Sequence, residues 1–402
     1  MSAQSPLSMM QPRRPAVRPQ RAIPPRRRLW RYLLLAAIVV ALPIGWTALW
    51  SYAASIANEA LTGWIAREAA LGRAYACGSQ TISGFPFAIV IHCDKAAAAF
   101  KSNRPPFNVS ASSFTFSAQV FRPTLLNGDI SAPVTLSDPG QDQRQAFVAN
   151  WSSARLALLG LPPEPERVTV DLSKPRLDRT AGANAGMIFQ ADHLAVDGRI
   201  IAGSARSNPV IEASAQVTAG LAPSFHPLLA EPLQGEIDAI MRGFKDFQPK
   251  PWPVLFRDMQ AAGGGIEIKT LRLARSDAAL VGSGTFTING SGRLEGELRV
   301  TVAGVENIVP LLGVDQLIGQ GIDRLTGGNG SPAQGLGALD RLLPGLGGVV
   351  RESASTGLIE TIKRMGEPTK LDGKPAVALP LRVTDGIVYV GIVPVIAVPA
   401  LF

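Results

Sequence analysis

The stretch Thr285-Phe-Thr-Ile-Asn-Gly-Ser-Gly-Arg-Leu-Glu-Gly-Glu-Leu-Arg-Val-Thr-Val302 decides the fold class. Successive side chains on a strand point to opposite faces. Leu294, Leu298, Val300 and Val302 therefore fall on one face, and Arg293, Glu295, Glu297 and Arg299 on the other. Asn289-Gly290 between two such runs is a hairpin signal. The stretch predicts an antiparallel pair with one apolar side and one wet side.

The same period of two recurs on both sides of this hairpin. Phe114, Phe116, Ala118 and Val120 alternate with smaller or polar neighbours, as do Val168, Val170 and Leu172. Near the end Val377, Leu379, Leu381 and Val383 alternate, Asp385-Gly386 turns the chain, and residues 387–390 return. Helical spacing predicts short helices over 233–247 and 252–262, the second with Pro253 near its start and Gly263 past its end. Residues 311–348 are rich in Gly and Leu, and a helix is expected over 349–365. Long antiparallel sheets with a few helices on one side make an α+β class. One domain over 76–402 is expected, with a sub-boundary near 222–262. Its apolar strand faces suit either an ordinary filled core or a curved sheet that leaves an apolar groove.

Charge is unevenly placed along the 402 residues. Hydrophobic residues make up 46% and charged residues 17%, below the roughly 25% of an ordinary soluble domain. Of 39 Lys and Arg, eight are arginines in residues 1–31, a region without Lys, Asp or Glu; the remaining 31 match the 31 Asp and Glu. The net charge of +8 thus belongs to a leader, and the body carries no basic excess to hold a nucleic acid.

No charge occurs from Tyr32 to Asn58, and Leu33 to Leu42 is wholly apolar. As a helix, residues 30–50 span about 30 Å, the thickness of a hydrocarbon core. Trp30 and Tyr32 mark one end, Trp46 and Trp50 the other, at the depths that amphipathic rings prefer. The positive leader orients the N-terminus to the cytoplasm and the body to the periplasm. The organisation expected is a disordered basic leader over 1–29, a transmembrane helix over 30–50, a juxtamembrane helix over 51–75 with Ile56, Leu61, Trp64, Ile65 and Ala69 on one stripe, and the β-rich domain. The competing reading is a signal peptide cleaved near Ser55-Ile56-Ala57.

Cys77 and Cys93 are the only cysteines, on the side expected to be oxidising. A disulfide between them is weighed against free buried thiols and against metal binding with His92. Zinc wants about four N or S ligands, and His193 and His226 are isolated. A Cys93–His92 catalytic pair meets the difficulty that strand neighbours point apart. Motifs for serine hydrolases, metalloproteases and P-loops are absent, and Gly290 to Gly296 has the wrong spacing and setting for a dinucleotide loop. No catalytic, cofactor or metal residues are assigned, and no enzyme activity is expected.

Gly84-Phe85-Pro86-Phe87, set between Cys77 and Cys93 just beyond the apolar helix, resembles domain-of-unknown-function family 2125, a family of uncharacterised Gram-negative envelope proteins. Residues 282–298 and 379–391 carry the same resemblance, which covers roughly 45–402. The strand–Gly–strand style of 282–302 and the Asp385-Gly386 hairpin are also similar to AsmA-type envelope proteins. That likeness implies long sheets with a groove-like body that act in lipid transport or outer-membrane homeostasis. The function expected is binding or handling of lipid or another apolar envelope component by an inner-membrane, periplasm-facing protein. Its partners would be membrane lipids, an apolar ligand or an envelope protein. The alternative is a scaffold that recruits envelope proteins.

Overall fold

The computed structural model describes residues 26–103, 106–138, 145–161, 164–182, 185–247, 250–309, 359–360, 362–391 and 393–402. Two compact units divide it, Met1–Ala53 and Ala54–Phe402.

The first unit contains most of the apolar run. Helix α1, Arg26–Ala70, begins there and continues into the second unit. From Trp30 onward it is long and apolar enough to cross a membrane, and none of its most apolar window is buried. Pro43 lies inside it, and the Thr47 hydroxyl donates to the Pro43 carbonyl at 2.7 Å, a side-chain bond beside the gap left by the missing proline N–H.

The second unit is one antiparallel sheet. Its strands are β1 (Arg73–Ala76), β2 (Ser79–Ser83), β3 (Ala88–Phe100), β4 (Phe107–Gln119), β5 (Arg122–Ser137), β6 (Gln145–Asn150), β7 (Ser153–Leu159), β8 (Arg167–Ser173), β9 (Arg176–Arg179) and β10 (Gly186–Gln190). They continue with β11 (His193–Ser204), β12 (Ser207–Gly220), β13 (Leu233–Arg242), β14 (Gly265–Ala274), β15 (Ala279–Ile288), β16 (Leu294–Ala303), β17 (Glu367–Leu371), β18 (Lys374–Thr384), β19 (Ile387–Val390) and β20 (Val393–Ala397). Short helices α2 (Trp252–Ala261) and α3 (Val305–Ile308) and a 3₁₀ turn at Pro227–Leu229 lie between the strands. Hairpins join most neighbours, so the sheet grows outward in chain order, with β1 and β2 side by side at one edge of β3. Within 222–262, β13 pairs with β12 on one side and β14 on the other, with register shifts after Val217 and after Asp238.

Register explains how the sheet keeps two characters. Ile91, Phe116, Gly128, Leu156, Val170, Val196, Ala215, Ile237, Leu271, Gly282, Val300 and Leu379 are successive cross-strand partners from β3 to β18. One residue away along each strand runs His92, Thr115, Asp129, Arg155 and Asp171, and later Gln216, Glu236 and Arg272. The first row is apolar throughout and the second mostly polar. A slip of one residue in any pair would exchange them.

Local elements cover the apolar face in places. Leu255 and Met259 of α2 pack on Ile211 and Ile288, with Leu401 and Phe402 alongside. Val305, Val309 and Ile362 pack on Val300, Leu379 and Val390. On β11, outside both cores, Val196 remains 39% exposed.

The expected hairpin from 285 to 302 is β15–β16, with Leu294, Leu298, Val300 and Val302 packed in the two cores. Its turn is longer than a two-residue Asn-Gly link. Ile288 pairs Leu294, and the Asn289 side chain ties the loop by accepting from the Ser291 and Arg293 amides at 3.0 Å each. The strands at 107–119, 167–173 and 374–390 and the helix from Trp252 also form where periodicity placed them. Asp385 and Gly386 both take positive φ, 51° and 73°, as a tight turn between β18 and β19 requires. The helix expected over 233–247 is not formed: Leu233–Arg242 is strand β13. Leu233, Ile237, Ile240, Met241 and Phe244 satisfy helical spacing. The odd-numbered positions 233–241, however, also line one strand face, and ladders to β12 and β14 on both sides decide the outcome. Residues 359–360 and 362–365 are helical; the rest of the helix expected over 349–365, and all of 311–348, lies outside the described residues.

Met259, on the inner face of α2, is fully buried. Met259→Ala is expected to cost about 2–5 kcal/mol, read as a lowered unfolding midpoint of the detergent-solubilised protein.

An apolar groove as the candidate functional site

The site begins with a run of small residues. Ala96 to Ala99 fill the second half of β3, four alanines where strand propensity favours bulkier side chains. Lys95, at φ 50°, interrupts the alternation of β3, so Ile91 and Cys93 before it and Ala96 and Ala98 after it face the same space. Ala111 on β4 sits opposite Ala96, and Val109 opposite Ala98. Leu61, Trp64 and Ile65 of α1 lie over these methyl groups. Side chains this short leave the space between helix and sheet unfilled.

The result is an open groove of about 450 Å³. Phe114, Phe116, Ile130 and Val134 continue its wall across β4 and β5, and Gln80 is the amide among its lining residues. Aromatic rings stand at one end. Trp64 and Tyr75 are 4.7 Å apart, Tyr75 meets Phe100 edge-on at 6.2 Å, and Phe100 stacks on Phe107 at 4.6 Å. Burial pushes the Tyr75 phenol above its ordinary pKa, and the nearby Glu68 charge adds to the shift. Glu68 is itself paired with Arg73, and that hydrogen bond raises the guanidinium despite burial, which acts the other way. Farther along, the Gln80 amide donates to Asn58 Oδ1 at 3.1 Å, tying helix to β2.

Cys77 and Cys93 are disulfide-bonded, with Cα atoms 5.7 Å apart, and both border the groove. Of the alternatives weighed for them, the bonded pair is the one formed. His92 points to the other face, its Nδ1 2.8 Å from the Thr115 hydroxyl and its Nε2 3.1 Å from Asp94 Oδ1. The hydrogen bonds from Ser79 and His92 hold the Asp94 carboxyl below its usual range. His193 pairs with Asp171 at 2.8 Å, and His226 accepts from the Leu228 amide at 3.2 Å, capping a short 3₁₀ turn, Pro227–Leu229. Among the described residues no three His, Cys, Asp or Glu side chains come together as a metal site.

The opposite face of the sheet carries exposed ion pairs. Arg167 meets Asp197 at 2.7 Å and Arg242 meets Glu267 at 2.7 Å. Lys269 meets Glu212 at 3.0 Å, and Arg199 pairs with the same carboxylate. The Lys269 and Arg199 hydrogen bonds hold Glu212 below the usual carboxylate range. Such pairs keep a surface wet and in register and add little stability each.

Trp30, Tyr32, Trp46 and Trp50 all lie on α1. Gly84-Phe85-Pro86-Phe87 forms the β2–β3 turn rather than part of the groove. Of the expected stripe on 51–71, Leu61, Trp64 and Ile65 reach the groove, whereas Ile56 and Ala69 are exposed. Sequence periodicity did not single out the alanines; their run within a strand was the available signal.

An apolar helix followed by a one-faced antiparallel sheet with a groove under the helix's second half describes this protein as a class. The chain belongs to the family described as an uncharacterized protein conserved in bacteria (DUF2125), whose model matches residues 50–399. No curated protein matches it.

Replacing Cys77 and Cys93 by Ser opens a loop of 16 residues beside the groove. A loss of about 3 kcal/mol in unfolding free energy is expected, measurable as a lower denaturant midpoint against the oxidised protein.

Proposed function

We propose that this protein is anchored in the inner membrane by residues 30–50, with its N-terminus in the cytoplasm and its sheet domain in the periplasm, and that the groove holds the acyl portion of a lipid or a similar apolar envelope component. The observation that carries this reading is the groove itself: about 450 Å³, open, and lined almost entirely by hydrocarbon. That volume lies within the roughly 300–1,000 Å³ of ligand pockets, and each methylene buried there gains about 0.8 kcal/mol. The uncharged run from Tyr32 to Asn58 and the eight arginines before it support the anchor and its orientation. The likeness of 282–302 and of the Asp385-Gly386 hairpin to AsmA-type envelope proteins points the same way. The role is binding rather than catalysis.

Protein extracted gently from membranes is expected to carry phospholipid in native mass spectrometry. Ala111→Trp, which puts an indole into the groove, is expected to abolish that lipid mass while retaining the cooperative melt of the sheet. Stoichiometric protein partners with no lipid would favour the scaffold reading instead. For the orientation, a reporter joined after Phe402 is expected to be active only in the periplasm; activity in the cytoplasm would reverse the topology.

A further inference from the structure

The antiparallel meander places alternate turns at the two ends of the sheet, and the ends differ in composition. The β2–β3 turn and the β4–β5 turn lie at one end. The Val120 amide donates to the Phe87 carbonyl at 2.9 Å, locking the two turns side by side. The first turn needs its glycine: Gly84 has φ 103°, and a Cβ there would stand 2.7 Å from the Ala88 carbonyl oxygen. The turn carries Phe85, 52% exposed, and Phe87, 61% exposed; Phe121 on the neighbouring turn is 71% exposed, its ring 6.2 Å from that of Phe87. The β13–β14 connection falls at the same end and exposes Phe247 and Trp252. Of the other exposed aromatics in this unit, Phe225 is at the opposite end and Trp64 is on the helix.

The part of the helix within this unit runs beside β3. Gly72 bonds Lys101, Trp64 packs on Tyr75, the partner of Ala98, and Asn58 bonds Gln80, the partner of Cys93. Moving up the helix from 72 to 58 thus runs along β3 from 101 to 93, toward the Gly84–Phe87 turn. The uncharged run of α1 lies upstream of this point.

We infer that Phe85, Phe87 and Phe121 form a bilayer-docking rim that seats the sheet domain on the interface of the membrane its own helix crosses, an inference resting on the anchored reading above. Aromatic rings partition to the boundary between headgroups and acyl chains. The one charged side chain on the two turns and their flanks from 83 to 88 and 119 to 122 is Arg122, a cation that suits anionic headgroups. The rim gives the Gly84-Phe85-Pro86-Phe87 motif a use that the groove does not.

The test uses the full-length chain in vesicles of phosphatidylethanolamine and phosphatidylglycerol that carry a nitroxide high on the acyl chain. Phe121→Cys and, separately, Phe225→Cys are labelled with an environment-sensitive fluorophore, the native cysteines being held in their disulfide. The label at 121 is expected to lose emission to the lipid nitroxide, and the label at 225 to aqueous iodide alone. If the chain floats with the vesicles while the label at 121 responds only to iodide, the rim is overturned and the anchor stands. Shielding of 121 from both quenchers would mark a protein contact and overturn it equally. A chain that does not float with vesicles overturns anchor and rim together.

Discussion

Cross-strand register is the constraint on which this structure depends. Hydrogen bonding along nearly every strand edge leaves one choice open, which side chains face which way, and the row from Ile91 to Leu379 makes the same choice at every step. The apolar face is therefore a property of the whole sheet rather than of any single strand. Burial of Ile211 under α2 and of Val300 under the segments around Val305 and Ile362 fixes that choice at two places. Ladders of hydrogen bonds transmit it to strands whose apolar side chains are less well covered.

The same constraint explains why a groove occurs where it does. Elsewhere Met259, Val309 and Ile362 reach down from covering segments and exclude water. Under α1 the sheet offers methyl groups along β3, and the helix offers Leu61, Trp64 and Ile65, too few side chains to close the gap. The Asn58–Gln80 bond ties helix to sheet, and the disulfide ties the Cys77 turn to β3, without filling the space under the helix. Geometry is kept by links at the border, and volume by what the alanines lack.

Much of the fold was legible because local and non-local preferences agreed. At 285–302 a turn signal, period-two patterning and alternating charges all described one hairpin. At 233–247 they diverged: a Leu, Ile and Met spacing acceptable to a helix was equally acceptable to a strand, and only the neighbours β12 and β14, distant in sequence, separated the two. The site was harder to read than the fold. Its walls come from residues between Leu61 and Val134 on a helix and several strands, and a void leaves no periodicity behind. The pairing of Cys77 with Cys93 was legible as the stronger of several options, because both fall on the side expected to be oxidising and His193 and His226 are too isolated in sequence to complete a metal site.

The near absence of hydrogen-bonding groups inside the groove limits what it can distinguish. A wall of methyl, phenyl and branched side chains senses girth and length but has nothing with which to tell one polar head from another. Among its lining residues Gln80 and Tyr75 carry the polar side-chain atoms that could read a head group. Such a wall offers dispersion and dehydration in place of directional bonds, so whatever it holds would be held in proportion to the apolar surface it buries.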